Sequence, residues 1–316
     1  MPNTCKAIPT WKLPVRFTSP VNDLERLLSP DHFTVIDGGL STQLEIHGHD
    51  LNDPLWTARV LLNDPSMIER AHRDFIDAGA QFVITASYQV SRPGFLNNGL
   101  SAHNADEALA ESVHAARRAT AGTRCLVAAS VGPYGAILHD GSEYRGNYGV
   151  KPEFLVNFHA ERLAVLADAQ PDFFAVETIP DLTEVRALAE ALEDYSDIPF
   201  WMSFSAADGG HLNGGAPIEI AAAVAASISN IAALGINCTA PEHITELATR
   251  IRSVTELPLI AYPNAGGSWD PHTAEWSMTN TNPFTEENLT NWRDAGVEIL
   301  GGCCGVDAQM MSTLTR

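Results

Sequence analysis

Eight short apolar segments, rich in β-branched and aromatic residues, recur along this chain at intervals wide enough to hold a helix. No other feature limits the fold as much. They span 33–37, 80–85, 125–130, 172–177, 199–204, 232–237, 257–262 and 297–301, each with the length and composition of a buried strand. Between them apolar residues return at helical spacing. Ile68, Ala71, Phe75 and Ile76 follow Asp64-Pro65, an N-cap and a first-turn proline, and precede the stop signal Gly79. Further helices are expected over 105–119, 183–192, 218–229 and 242–254. Strands alternating with helices give a parallel sheet, because each parallel return needs a crossover.

An open doubly wound sheet and a closed (β/α)8 TIM barrel both satisfy that pattern, and two observations favour the barrel. The chain contains no G-x-G, so the dinucleotide fingerprint of the open fold is missing. Polar and reactive residues also gather where strands should end: Asp37, Thr85, Glu177, Asn237-Cys238, Asn264 and Cys303-Cys304. A barrel collects all its strand C-termini on one face, where such enzymes build their sites. The expected organisation is a leader, residues 1–28, either partly disordered or plugging the barrel bottom, followed by one barrel domain over 29–316. The longest irregular stretch, 131–152, holds Tyr134, Tyr144 and Tyr148 among glycines, and a loop of this length in a compact domain is usually functional or disordered.

Charge excludes one class of partner. With 19 Lys and Arg against 39 Asp and Glu, the net charge is −20, which repels polyanions and anionic lipid surfaces. Small molecules are the expected partners, with neither nucleic acid nor membrane, and a homo-oligomer is left open. Residues 1–30 carry scattered prolines and no apolar signal core. The stretch 216–237 contains Glu219, Ser227, Ser229 and Asn230, and reads as a small-residue helix running into a strand. A cytoplasmic location is expected.

Five cysteines, an odd number, suit a reducing compartment better than a disulfide scaffold. Cys5 lies in the leader and Cys125 in a strand, both read as bystanders. Cys238 ends the sixth candidate strand, and Cys303-Cys304 ends the eighth, flanked by Gly301, Gly302 and Gly305. No local zinc-finger spacing joins them, but strands six and eight of a barrel are separated by one neighbour. Three thiolates suit Zn²⁺ and leave a fourth tetrahedral position open, as in catalytic sites. Simple packing or a vicinal disulfide at 303–304 stays an alternative. His47-Gly48-His49 has an H-x-H form, but it falls about ten residues past the first strand and reads as a helix terminus.

The motifs Asp37-Gly38-Gly39, Thr85-Ala86-Ser87-Tyr88-Gln89, Glu177-Thr178, Gly235-Ile236-Asn237-Cys238 and Gly301-Gly302-Cys303-Cys304 together resemble the zinc-dependent homocysteine S-methyltransferase family, over about residues 34–310. Val131–Ala136, Asp140–Gly146 (DGSEYRG) and Tyr262-Pro263-Asn264 resemble its single-domain members that use S-methylmethionine. One departure is Gly39, where the family has another small residue. The resemblance implies zinc on Cys238, Cys303 and Cys304, with homocysteine sulfur as fourth ligand. It implies Glu177 as partner of the substrate ammonium, and Asp37, Gly38, Thr85 and Asn237 as positioning groups. Tyr134, Tyr144 and Asn264 are expected on the donor side, and no general base is assigned. The donor is expected to be S-methylmethionine, with S-adenosylmethionine or betaine as alternatives. Selenocysteine is an alternative acceptor, and a metallohydrolase or a zinc or thiol sensor are the remaining rivals.

Overall fold

The computed structural model describes residues 20–270, 275–278 and 281–315. Ten strands occur among them: β1 (Thr34–Val35), β2 (Phe82–Ile84), β3 (Leu126–Val131), β4 (Phe173–Ile179), β5 (Phe200–Phe204), β6 (Ile231–Asn237), β7 (Leu259–Tyr262), β8 (Gly267–Asp270), β9 (Glu275–Met278) and β10 (Val297–Leu300). All eight expected strands are present. Every pairing among them is parallel, in the order β1-β10-β7-β6-β5-β4-β3-β2. A parallel bridge between Ile36 and Phe82, with the Gln81 N–H donating to the Val35 carbonyl at 2.7 Å, joins the two ends of the sheet. The fold is the expected (β/α)8 barrel.

β8 and β9 form an antiparallel ribbon outside the barrel, inserted between β7 and β10. The sequence reading did not include it, because 267–278 lacks the alternating apolar pattern that marks a half-buried strand.

Local chemistry explains the helices. Asp64 accepts from Ser66 N–H and Pro65 occupies the first turn of the helix Pro65–Asp77. Ser101 and Asn104 make a reciprocal capping box on Ala102–Thr120. Asp181 caps Leu182–Leu192 by accepting from Glu184 N–H. The apolar faces of these helices pack against the outside of the strands, with Ile68, Phe75, Leu109, Val113, Val185 and Leu188 fully buried.

Inside the barrel lies a second core. Ile36, Phe82, Phe173, Trp201, Ile260 and Ile299 fill its lower half, with Phe82 set edge-on to Phe173 at 5.4 Å and to Trp201 at 5.9 Å. The helix Pro20–Leu27 packs against this inner core: Leu24 is buried, Leu27 and Leu28 pack on the cluster, and the Thr34 hydroxyl donates to the Leu27 carbonyl. Residues 1–19 of the leader, with Cys5, lie outside the described residues. Each of these large apolar side chains contributes about 2 to 3 kcal/mol by burial.

Candidate active site

At the top of the barrel the ends of β1, β2, β4, β6, β7 and β10 deliver residues to one cavity of about 110 Å³. Its wall includes Asp37, Gly38, Thr85, Tyr144, Glu177 and Asn237, together with all three cysteines. A wider groove of about 420 Å³, between Leu28, Phe33, Arg252 and Arg293, lies at the opposite end of the barrel, away from these groups.

The three cysteine sulfurs lie within 4.8 Å of one another, the only such convergence of three or more Cys, His, Asp or Glu donors among the described residues. Cys238 sits just past β6 with φ 47°, a left-handed conformation that turns the chain at the strand end. Cys303 is set by its N–H, which donates to the Pro263 carbonyl at 2.8 Å, and Cys304 by its carbonyl, which accepts from Ala265 N–H. Cys238 and Cys304 sulfurs are 3.7 Å apart. In this structure Cys238 and Cys303 are joined as a disulfide, with Cα atoms 5.5 Å apart. Sulfurs aimed at one point can either hold a cation or, oxidised, bond to each other.

The donor set fits zinc when reduced. A tetrahedral site with Zn–S bonds of about 2.3 Å has sulfurs about 3.8 Å apart, a spacing the Cys238–Cys304 pair already has. Burial raises the Cys304 thiol to about 11, so a cation is needed to hold the thiolate at neutral pH.

Glycines let the β1 loop and the cysteine loop meet. A Cβ on Gly38 would stand 2.7 Å from the Val306 carbonyl oxygen and 2.8 Å from the Phe75 ring. Gly39 adopts φ −69°, open to any residue. Its close neighbour is the Cys303 carbonyl.

Asp37 is buried, and its Oδ2 accepts from Ile84 N–H at 2.7 Å, tying β1 to β2. Burial holds its carboxyl well above the usual range, and the Glu177 charge adds to this. Glu177 lies within β4, not after it. The register slips between Val176 and Ile179, and Thr178 takes φ 62°. Ser130 donates to Glu177 Oε1, and Tyr262 also hydrogen-bonds to it. Burial nonetheless pushes Glu177 up to about 7.

Thr85 and Asn237 line the cavity while spending their polar atoms on the scaffold. The Thr85 hydroxyl bonds to Ser87 and accepts from Ser130 N–H. Asn237 Oδ1 accepts from Thr178 N–H at 2.7 Å and from the Ser203 hydroxyl at 2.9 Å, and its amide donates to Thr178 Oγ1. Asn237 thereby fixes the Glu177–Thr178 turn.

On the donor side, the Tyr144 hydroxyl is 3.7 Å from Cys238 Sγ. The structure does not bring Tyr134 to the cavity wall. Its ring packs edge-on against Tyr148, Phe154 and Phe158, and its N–H donates to Glu184. Asn264 is buried below the cysteine loop and does not line the cavity, and neither side-chain polar atom has a partner among the described residues.

Three aromatic wall residues were missed as site residues: Trp56, Tyr88 and Tyr262. Tyr88 and Tyr262 stand inside motifs quoted from the sequence, but an aromatic after a strand reads equally as core. Trp56 carries φ 46° and meets Tyr88 edge-on at 6.2 Å. Strained backbone in a non-glycine residue at a cavity is a functional signal, and it is visible only in three dimensions.

Cys125 is partly buried at the start of β3 with its thiol raised by burial, as expected of a bystander. His47 ends the helix Leu40–Ile46 and pairs with Asp74 at 2.6 Å, which agrees with a helix terminus. No helix among the described residues is long and apolar enough to cross a membrane.

The family model described as homocysteine S-methyltransferase matches residues 34–316. The chain is 43% identical over 302 residues to homocysteine S-methyltransferase 4 of Zea mays, covering 89% of this chain and 88% of that protein. It is 42% identical over 302 residues to the selenocysteine Se-methyltransferase of Brassica oleracea var. italica, covering 89% and 87%. The crystal structure of the homocysteine methyltransferase MmuM from Escherichia coli in its metallated form superposes with a TM-score of 0.82 at 38% identity, covering 94% and 99%. Its oxidized form also gives 0.82, at 37% identity and the same coverage.

Proposed function

The chain belongs to the homocysteine S-methyltransferase family, and from that premise we propose that it methylates L-homocysteine from a sulfonium donor, S-methylmethionine first and S-adenosylmethionine second. The observation that carries this reading is the convergence of three cysteine sulfurs on the cavity that Glu177 also lines.

Reduced Cys238, Cys303 and Cys304 would hold zinc. Zinc bound there supplies a fourth ligand position for the homocysteine sulfur and lowers its pKa, so that the thiolate is available at neutral pH. Glu177 receives the homocysteine ammonium, which restores its carboxylate charge inside a buried site. Tyr262 and Ser130 orient that carboxylate, and Asn237 fixes the turn beside it. Trp56, Tyr88 and Tyr144 offer aromatic faces to a sulfonium, which cation–π attraction favours in a desolvated site. The new S–CH3 bond forms on homocysteine as the donor's C–S bond breaks, with the electron pair staying on the donor sulfur. The thiol proton leaves to solvent. From S-methylmethionine, both products are methionine. Free thiols at the site are favoured in a reducing compartment, which supports a cytoplasmic location.

The test is methionine formation by reduced, zinc-loaded protein from homocysteine and, separately, S-methylmethionine, S-adenosylmethionine or betaine, with selenocysteine as a competing acceptor. S-methylmethionine should give the highest kcat/KM, chelation should abolish it, and Cys238→Ser should lower bound zinc. No methionine from S-methylmethionine, or a rate untouched by chelation, would overturn the reading.

A further inference from the structure

Homocysteine and S-methylmethionine are both α-amino acids, so a site that joins them must receive two α-ammonium groups in addition to the sulfonium. Glu177 accounts for one under the reading above, on which the following rests. The carboxylates around the cavity mouth and the 131–152 loop differ in how much of each is already committed to the fold. Asp37 is tied to Ile84 N–H. Asp181 accepts from Glu184 N–H and Asn147 N–H. Glu184 is fully used by Tyr134 N–H, His159 and Tyr148. Glu143 is the exception: its Oε2 is buried and has no hydrogen-bond partner among the described residues.

Its position suits a ligand group. Glu143 immediately precedes Tyr144, whose hydroxyl reaches Cys238 Sγ, in the short turn Ser142–Tyr144. The turn is held firmly. Its backbone packs so tightly on Gly135 that a Cβ there would stand 2.5 Å from Glu143 N, and the Glu143 carbonyl accepts from the Ser205 hydroxyl just past the end of β5. The carboxylate's charge reaches Tyr88, a residue of the cavity wall. Arg145, the adjacent cation, turns to Asp140 at 3.0 Å and is exposed. Burial leaves Glu143 raised to about 7, a cost that a bound ammonium would offset.

We propose that Glu143 receives the α-ammonium group of the sulfonium donor, and so selects amino-acid donors over onium donors that lack a primary amine. One carboxylate then serves each amino-acid substrate: Glu177 the acceptor, Glu143 the donor.

The test compares S-methylmethionine with its desamino analogue, 4-(dimethylsulfonio)butanoate, on zinc-loaded wild type and Glu143→Gln. Both donors are read on the same preparation, so any inactive fraction cancels from the ratio of their kcat/KM values. Wild type should prefer S-methylmethionine by roughly 10- to 100-fold, the range of a lost charge-assisted hydrogen bond. Glu143→Gln should collapse that preference to within about threefold, through KM for S-methylmethionine, with KM for homocysteine moving much less. An unchanged preference in the variant, or an equal loss on both donors, would overturn the assignment while leaving the methyltransferase reading intact. Wild type inert toward S-methylmethionine would overturn both.

Discussion

Glu177→Gln separates two consequences of one buried carboxylate. In the ligand-free protein Glu177 stands at about 7 against an ordinary 4.5, with burial the largest cause. A carboxyl whose folded pKa is raised imposes no penalty below pH 4.5, where folded and unfolded chains both hold the proton. Between 4.5 and 7 the folded chain binds more protons than the unfolded one, so stability falls as pH rises. The accumulated penalty above pH 7 is about 3 kcal/mol, at 1.36 kcal/mol per unit. Glutamine keeps the shape and an acceptor for Ser130 but cannot ionise. Its stabilising effect should therefore be near zero at pH 4.5, grow through pH 6, and level off near 3 kcal/mol at pH 8.

Urea denaturation of wild type and Glu177→Gln across pH 4.5–8, without substrate, reads this difference directly, because other titrating groups cancel from it. Activity should move the opposite way. Removing the counter-charge of a buried ammonium costs about 2 to 4 kcal/mol, a rise in homocysteine KM of roughly 30- to 800-fold at pH 8. A variant more stable and much less able to bind homocysteine is the signature of a carboxylate placed for a ligand. If Glu177→Gln is instead destabilised by the same amount at every pH, the residue is a structural hydrogen-bond acceptor and the assignment fails.

Three further outcomes are expected. Asn237→Ala strips a partner from the buried Thr178 N–H and should destabilise by about 2 to 4 kcal/mol, raising homocysteine KM together with the loss of stability; unchanged urea midpoints would refute its positioning role. Gly38→Ala drives a Cβ against the Val306 carbonyl and Phe75, and should cost about 1 to 3 kcal/mol and weaken zinc retention in a chelator competition, since that contact supports the cysteine loop. His72 is fully buried with neither ring nitrogen bonded among the described residues, and burial lowers it from 6.5 to about 4. Its folded pKa is depressed, so the folded chain takes up fewer protons between 6.5 and 4 and stability is lost as pH falls through that window, by about 3 kcal/mol; His72→Leu should flatten this acid limb, and a limb of unchanged steepness would count against it.

The strands were legible because each is buried on both faces and is therefore a continuous apolar run. Their residue ranges carried the three cysteines to one end of the barrel before any coordinates did. What escaped was of two kinds. The β8–β9 ribbon stands outside the barrel, so no periodic burial shapes its sequence. The aromatic wall escaped for the opposite reason: Trp56, Tyr88 and Tyr262 look like core residues, and only the closing of the barrel aims them at the cavity. Tyr134, named from its loop, went to an aromatic cluster because its neighbours Phe154 and Phe158 lie on the next helix face, a juxtaposition that loop composition does not encode.

Asn237 and Glu177 show where residue type stops predicting role. Both are polar residues at or near the ends of barrel strands, and from sequence both read as substrate contacts. The structure divides them by hydrogen-bond supply. Asn237 has both Oδ1 lone pairs and one amide hydrogen committed to Thr178 and Ser203, which leaves one amide hydrogen for a ligand. Glu177 has donors enough to orient it but too few to hold its charge, which is why it remains raised after Ser130 and Tyr262 are counted. A group that the fold orients without neutralising is suited to take a cation, and Glu143, with a buried oxygen left unbonded among the described residues, meets the same criterion. The distinction between scaffold and site here is a matter of electrostatic completeness, which depends on which residues fold against each group and is absent from the order in which they are joined.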